Sequence, residues 1–286
     1  MTPATGALVL STGARSDVGS RRAVNEDSML VADPIYAVAD GMGGHAAGDL
    51  ASQAAIVQLR SIVGLSDVTV PVLQTALDDA QRSVRVIADA NERGAGTTVT
   101  GVVAALHAGE PHWIVFNVGD SRVYRQRDGV LEQLSHDHSF AQELVDAGSM
   151  AKDDVSSYRG RNVITRAVGS DDSPADITLW AIQGAERVLV CSDGLTTEVS
   201  DASIGRLLTA NPDPQRAADE LVARAIRNGG RDNVTVVVID VVSGAPADAP
   251  AGPAETGSPD DDAADDLDED TIETHGRIAA DPDPHH

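Results

Sequence analysis

The stretch Val38-Ala39-Asp40-Gly41-Met42-Gly43-Gly44 constrains the chain more than any other. An apolar run from Ile35 to Ala39 ends on a carboxylate and breaks into glycines, and helix-type residues follow from His45. The pattern predicts a buried strand that delivers Asp40 to the edge of a core, with a tight turn after it. Glycines at such a turn let backbone approach something closely. A phosphate and a metal ion both suit that geometry, and other parts of the chain decide between them.

The same grammar recurs. Asp120 follows the run Ile114 to Gly119, Asp193 follows Val188 to Ser192, and Asp232 precedes the strand opened by Asn233-Val234. For any one of them, a turn-capping Asp is the commoner explanation. Four in one domain, with Glu26 and Asp27 as a further acidic pair, point to convergence. Two carboxylates ~5 Å apart repel by roughly 3 kcal/mol at an effective dielectric of about 20. A convergent set therefore either becomes protonated or takes cations between its members. Oxygen ligands without His or Cys beside them select Mg²⁺, Mn²⁺ or Ca²⁺ over zinc. Two such ions sharing a carboxylate could lower the pKa of a bridging water. Arg22, four residues before Glu26, could hold phosphate oxygens in a fork; taken alone, it is more simply a solvated surface charge.

A length of 286 residues allows one large domain or two small ones, and 42% hydrophobic residues can bury a sizeable core. Aromatics make up only 2%, so Val, Ala, Leu and Ile must fill it. The formal charge of -24 argues against nucleic acid as a partner and disfavours an anionic membrane surface. No apolar run approaches the ~20 residues of a membrane helix, and the N-terminus lacks signal-peptide character. Cys191, the one cysteine, excludes an internal disulfide framework and fits a reducing compartment. The expectation is a cytoplasmic monomer.

The sequence divides near residue 242. Residues 243–286 hold 13 acidic residues, one Arg and six prolines, half of the total negative charge. Such a stretch cannot bury enough surface to offset its ordering entropy and is expected to be a disordered tail. It is either solubilising or regulatory. Residues 6–242 form the expected folded domain. Strand signals fall at Ala7 to Leu10, Met29 to Ala32, Ile35 to Ala39, Thr97 to Leu106, Trp113 to Val118, Arg122 to Arg127, Val130 to Leu134, Arg187 to Cys191 and Val234 to Val242. The Asp128-Gly129 pair predicts a hairpin. Helical patterns cover 45–63, with an apolar stripe of Leu50, Ala54, Val57 and Leu59, and 71–93, with Leu73, Leu77, Val84 and Ile87. Further helices are expected at Phe140 to Ala147, Ala202 to Thr209 and Gln215 to Arg227, and 148–162 is the expected mobile segment. Hairpin-linked strands and paired helices favour α+β, a sandwich of two antiparallel sheets flanked on both sides by helix pairs.

Seven short motifs now stand in order: Arg22-Ala23-Val24-Asn25-Glu26-Asp27, Val38 to His45, Gly96-Thr97-Thr98, Asn117 to Arg122, Arg166-Ala167-Val168-Gly169, Cys191 to Leu195 and Arg231 to Thr235. Together they resemble the metal-dependent protein serine/threonine phosphatases of the protein phosphatase 2C type, most closely their bacterial branch. The resemblance covers residues 6–242 and leaves out the tail. It implies hydrolysis of phosphoserine and phosphothreonine in proteins by a water bridging two Mn²⁺ or Mg²⁺ ions. Asp40 would bridge the two ions, and the Gly41 carbonyl would contact one. Asp193 and Asp232 would complete the second site. Glu26 and Asp27 would order metal-bound waters, and Arg22 would bind the substrate phosphate. Asp120 would help hold a third, weaker ion, with Asn162 as a candidate to share it. The implied partners are serine/threonine kinases and their phosphorylated targets. A non-catalytic relative that binds phosphoproteins is the alternative, although all the main ligand positions are kept.

One departure concerns the proton donor. Many eukaryotic members have His directly after the Asp-Gly pair, where this chain has Met42, as bacterial relatives often do. His45 is a candidate donor or a helix-start residue; His136 and His138 are read as structural. Cys191 is read as a buried strand residue, because a thiol phosphatase would want an Arg six residues on, where Thr197 stands. Ala46 breaks a Gly-x-Gly-x-x-Gly pattern and no Walker-type run exists, so nucleotide binding is disfavoured.

Overall fold

The structure is a computed structural model describing residues 8–43, 47–92, 94–161, 163–171, 173–246 and 253–254. The strands are β1 (Val9–Asp17), β2 (Asp27–Ala32), β3 (Ile35–Gly43), β4 (Ala95–Thr97), β5 (Val99–His107), β6 (Glu110–Val118), β7 (Arg122–Arg127), β8 (Val130–Gln133), β9 (Asp176–Ala181), β10 (Arg187–Cys191), β11 (Val234–Ser243) and β12 (Pro253–Ala254). The α-helices are α1 (Ala47–Leu59), α2 (Val70–Asp89), α3 (Phe140–Asp146), α4 (Asp193–Thr196), α5 (Asp201–Ala210) and α6 (Pro214–Asn228). One sheet runs in the order β1-β11-β10-β7-β8. The other runs β12-β9-β6-β5-β3-β2, with β4 paired to the end of β3. Every pairing is antiparallel.

The two sheets stack as the sequence pattern predicts, and three apolar cores result. The first lies between the β3-β5-β6 face and α1 with α2, and includes Ile35, Leu73, Val84 and Phe116. The second lies between the β10-β11 face and α5 with α6, and includes Leu189, Ile204, Leu221 and Val236. The third fills the space between the sheets with Val38, Val102, Trp113, Val190 and Val237. Strand residues that face a core on both sides read as continuous apolar runs, which is why β3, β10 and β11 are plain in the sequence. Asp128 and Gly129 both take positive φ between β7 and β8, as a two-residue hairpin turn requires.

Three features differ from the sequence expectation. First, the apolar stripe of α1 is rotated: of the four expected residues Leu59 is buried and Ala54 packs against the core, but the other two face outward. Leu50 and Val57 are 50% and 57% exposed, while Ala47, Ala51, Ala55, Ile56 and Leu59 are buried. Small side chains let this helix lie close on β3 and α2, so its packed face is the alanine face. Second, β9 and the short α4 are elements beyond those the sequence signals, and residues 152–157 form a 3₁₀ turn within the segment expected to be mobile. Third, β11 extends to Ser243, and Pro253–Ala254 pair with Trp180 and Leu179 of β9. Part of the stretch expected to be a free tail thus covers a sheet edge, where unpaired backbone groups favour a further strand. One compact unit extends to Ala254; the rest of the expected tail, 255–286, lies outside the described residues.

Antiparallel pairing brings all the important strand ends to one rim of the sandwich. The ends of β3, β6 and β10 and the starts of β2, β7 and β11 meet there, through the pairs Asp27↔Asp40, Val99↔Val118, Cys191↔Arg122 and Cys191↔Val236. The turn Gly119-Asp120-Ser121 crosses from the second sheet to the first at the same rim.

The rotated helix face is directly testable. Ala51→Leu or Ala55→Leu is expected to cost about 1–3 kcal/mol by overpacking, whereas Leu50→Gln and Val57→Gln should stay within about 0.5 kcal/mol of the parent. Thermal unfolding of the four variants checks this, and comparable losses on both faces would contradict the observed packing.

Candidate metal centre

Asp40 leaves β3 opposite Asp27 of β2. Its backbone is held on both sides by the Gly96-Thr97-Thr98 stretch. The Thr98 N–H and the Thr97 hydroxyl donate to the Asp40 carbonyl at 2.8 and 2.9 Å, and the Asp40 N–H donates to the Thr98 hydroxyl at 3.0 Å. The Thr98 and Ser121 hydroxyls meet at 2.8 Å, which ties the strand bearing Asp40 to the turn bearing Asp120. A Cβ on Gly41 would come 2.2 Å from the Gly48 carbonyl oxygen and 2.6 Å from that of Glu26. The glycine after Asp40 is therefore demanded by the first turn of α1 and by the backbone before β2, rather than by a ligand.

Asp193 opens α4 one residue after Ser192, whose hydroxyl accepts from the Thr235 N–H at 3.0 Å and donates to Asp27 Oδ2 at 2.9 Å. A Cβ on Gly194 would lie 1.9 Å from the Asn233 carbonyl oxygen, so α4 sits directly on the loop that carries Asp232. Asn233 in turn accepts from the Glu26 N–H at 2.8 Å and donates to the Val18 and Val24 carbonyls at 3.0 and 2.9 Å. One amide side chain thus stitches the Arg22–Glu26 segment to the strand that follows Asp232. Arg22 Nη2 donates to Asp232 Oδ2 at 2.7 Å.

Asp27 and Asp120 are buried, while Asp40, Asp193 and Asp232 are half-buried. Loss of water pushes the Asp27 carboxyl up to about 7, and Asp193 and Asp232 push the same way against the hydrogen bonds from Thr235 and Ser192. Asp40 is raised well above the usual carboxylate range by burial and then by Asp27, Asp193, Asp120 and Asp232. Asp120 is raised by burial, then by Asp193 and Asp137, with Arg122 opposing. Asp193 is raised by burial and Asp232, while a hydrogen bond with Asp40 and the Arg22 and Arg122 charges oppose. These five acids stand in one another's field, and Asp27 Oδ1 is buried without a hydrogen-bond partner. An all-oxygen donor set with an orphaned carboxylate oxygen and mutual repulsion fits a hard divalent cation. Among the described residues, no three His, Cys, Asp or Glu side chains are closed into a finished coordination group. The acids share a field without yet forming a shell.

Asp120 is braced from behind. His138 is buried; its Nδ1 accepts from the Gly119 N–H at 3.1 Å and its Nε2 lies 3.0 Å from Asp176, in keeping with a structural role. Arg122 Nε donates to both Asp137 oxygens at 2.9 Å, and its Nη1 donates to the Tyr124 hydroxyl at 2.8 Å. His136 is exposed and lies 2.9 Å from Asp146. Cys191 is buried and free, and burial pushes its thiol up, away from nucleophilic use. A cleft of about 650 Å³ opens beside Asp120 and Asp193, bordered by Arg122, Lys152, Arg161 and Arg231. His45 and Asn162, candidates for proton donor and third-ion ligand, lie outside the described residues.

The residues that do the positioning were quoted in the motifs without a role. Ser192 and Asn233 each stand beside a motif carboxylate, and hydroxyl or amide side chains next to strand-end acids are the signal that marks them; Thr98 has no acid beside it in the sequence. Nothing in the sequence marks the Arg122–Asp137 pair, whose partners stand 15 residues apart across a hairpin.

The protein phosphatase 2C family profile matches residues 19–223. The serine/threonine protein phosphatase PstP of Mycobacterium tuberculosis is 41% identical over 241 residues, which cover 82% of this chain and 46% of that protein. The chain thus spans about half the length of that relative. The serine/threonine phosphatase stp of Listeria innocua is 33% identical over 240 residues, which cover 79% of this chain and 94% of that protein. The solved catalytic domain of PstP in complex with two manganese ions superposes with a TM-score of 0.75 at 37% identity, covering 82% of this chain and 100% of that one.

The field among the acids has a consequence for the metal-free protein. A carboxyl raised in the folded state binds its proton more tightly folded than unfolded. Its contribution to stability is full below the unfolded value near 3.8 and is lost as pH rises through about 7 for Asp27. Asp40, Asp120 and Asp193 shift in the same direction. In excess chelator, Tm is expected to fall between about pH 5 and pH 8, and Asp27→Asn should flatten that fall. A Tm that rises over this range would contradict the arrangement.

Proposed function

Because the chain belongs to the protein phosphatase 2C family, we propose that it hydrolyses phosphoserine and phosphothreonine in proteins and that this activity depends on Mn²⁺ or Mg²⁺. The observation that carries the reading is the gathering of five carboxyls at one rim, next to a guanidinium, in a chain of this family. Asp40, with the Gly41 carbonyl, Asp193 and Asp232 would hold two ions. Asp120 would contribute to a third. The chemistry that the ions supply when bound is Lewis-acid polarisation of the phosphoryl group and activation of water at neutral pH.

The chain's own groups do the rest. Arg22 is half exposed and already aimed at the rim by its bond to Asp232. Once that carboxylate is neutralised, the guanidinium can turn its fork to two phosphate oxygens. Asp27, whose Oδ2 accepts from the Ser192 hydroxyl, is held at the rim as an acceptor suited to the ordering of water. Glu26 lies against the Gly48 end of α1, where a Cβ would meet its Oε1 at 2.8 Å, and stands on the same rim. Natural opponents would be serine/threonine kinases, and the phosphorylated kinases and their targets would be substrates. A cytoplasmic location is part of the same proposal and suits a single, free thiol. Among the described residues, no helix is long and apolar enough to cross a membrane.

Asp40→Asn and Asp193→Asn are each expected to lower turnover of p-nitrophenyl phosphate in Mn²⁺ by at least about 100-fold, more than outer-sphere changes at metal sites cost. Wild-type turnover in both would defeat the assignment. Arg22→Ala should raise KM for phosphopeptides by roughly tenfold or more, the scale of a lost charge-assisted hydrogen bond, with little change in Tm. An unchanged KM would remove Arg22 from the site. Titrating Mn²⁺ against a phosphothreonine peptide separates the enzyme from a binding-only relative: released phosphate supports the first, stoichiometric binding without turnover the second.

A further inference from the structure

The turn after α4 makes a set of contacts that the acids themselves do not explain. Glu198 stands two residues beyond the helix that Asp193 opens, and its side chain is only 2% exposed. Its Oε1 accepts from the Arg231 backbone N–H at 3.1 Å and from Arg231 Nε at 2.8 Å, and its Oε2 accepts from Arg231 Nη2 at 3.1 Å. Its carbonyl accepts from Asn228 Nδ2 at 2.8 Å. All four bonds fall on residues 228–231, the loop that leads directly into Asp232. Hydrogen bonding to Arg231, helped by the charge of Arg161, holds the Glu198 carboxyl below its ordinary value.

An exposed ion pair usually contributes little, but this one is built differently. The carboxylate is sheltered, the guanidinium engages it with two nitrogens, and a backbone N–H completes the grip. The loop it holds contains Gly229 and Gly230, which have no side chains of their own to anchor it. Asn233 and the Gly194 contact fix the loop from the side of β11.

We propose that Glu198 is a positioning residue: by clamping Arg231 it sets the separation of Asp193 and Asp232. The proposal rests on the reading above in which these two carboxylates hold the second ion. α4 then acts as a rigid spacer with one ligand at its start and the brace for the other just past its end. Arg231, although it borders the cleft, is committed to Glu198 rather than to a substrate.

The test uses the full chain with Glu198→Ala, Glu198→Gln and Arg231→Ala, read in two ways. Calorimetric titration with Mn²⁺ should show the weaker of the two core ions loosened about tenfold in Glu198→Ala, with Glu198→Gln recovering most of the loss because its amide oxygen still accepts from the Arg231 N–H. In chelated protein, amide exchange at Arg231 and Asn233 should quicken in Glu198→Ala and not at β10 or β11 residues remote from the loop. A lower Tm with unchanged Mn²⁺ affinity and unchanged protection of Asn233 would overturn the proposal and leave Glu198 a stabilising residue only. Wild-type protein that takes up no Mn²⁺ would defeat the metal reading instead, and the exchange data would then decide the clamp alone. If Glu198→Ala does not fold, Arg231→Ala against Glu198→Gln carries both readouts.

Discussion

Several carboxyls are crowded at one rim of a sandwich, and the rest of the structure depends on keeping them there against their own repulsion. Each pair at ~5 Å costs roughly 3 kcal/mol at an effective dielectric of about 20. Burial raises that cost further, as the upward shifts of Asp27, Asp40, Asp120 and Asp193 record. A loop-borne cluster would spread to relieve the field. These acids are held against it, because Asp40, Asp120, Asp193 and Asp232 flank the ends of strands paired on both sides, and Asp27 opens the edge strand β2 directly opposite Asp40.

The pinning is done by neutral groups. Thr97 and Thr98 take both backbone polar groups of Asp40, Ser192 stands between Thr235 and Asp27, and Asn233 spans three backbone groups of the Arg22–Glu26 side. Hydroxyls and amides suit this work because they fix geometry without adding charge to the rim. The Thr98–Ser121 contact extends the same logic across the two sheets, linking the strand of Asp40 to the turn of Asp120. Carboxyls set in this way are supported by strand ends and by a second layer of hydrogen bonds, which is what a metal centre would require.

How much of this was legible in the sequence follows from which forces leave a local trace. Strands buried on both faces leave continuous apolar runs, so β3, β10 and β11 could be read, and with them the positions of Asp40, Asp193 and Asp232. The Asp128-Gly129 turn writes its backbone angles into residue type. The packed face of α1 left the opposite trace. Two of its large residues, Leu50 and Val57, point outward, while Ala51 and Ala55 are buried beside Ile56 and Leu59, because close approach to β3 rewards small side chains along part of the face. The glycine after Asp40 was legible as a close approach, but what approaches is the protein's own backbone at Gly48 and Glu26. Pairing of Pro253–Ala254 on β9 had no local signal, since it depends on the free edge of a distant strand.

The charge around the rim also narrows what the site can bind. Arg22 is bonded to Asp232, Arg122 to Asp137 and Arg231 to Glu198, so these three guanidiniums at or beside the rim are already answered by carboxylates. A phosphorylated side chain carries close to two negative charges at neutral pH, and without cations it would meet Asp40, Asp120, Asp193 and Asp232 with no uncommitted guanidinium among these three to offset them. Phosphoprotein binding and phosphoprotein hydrolysis therefore place the same demand on this rim: the carboxylates must first be neutralised.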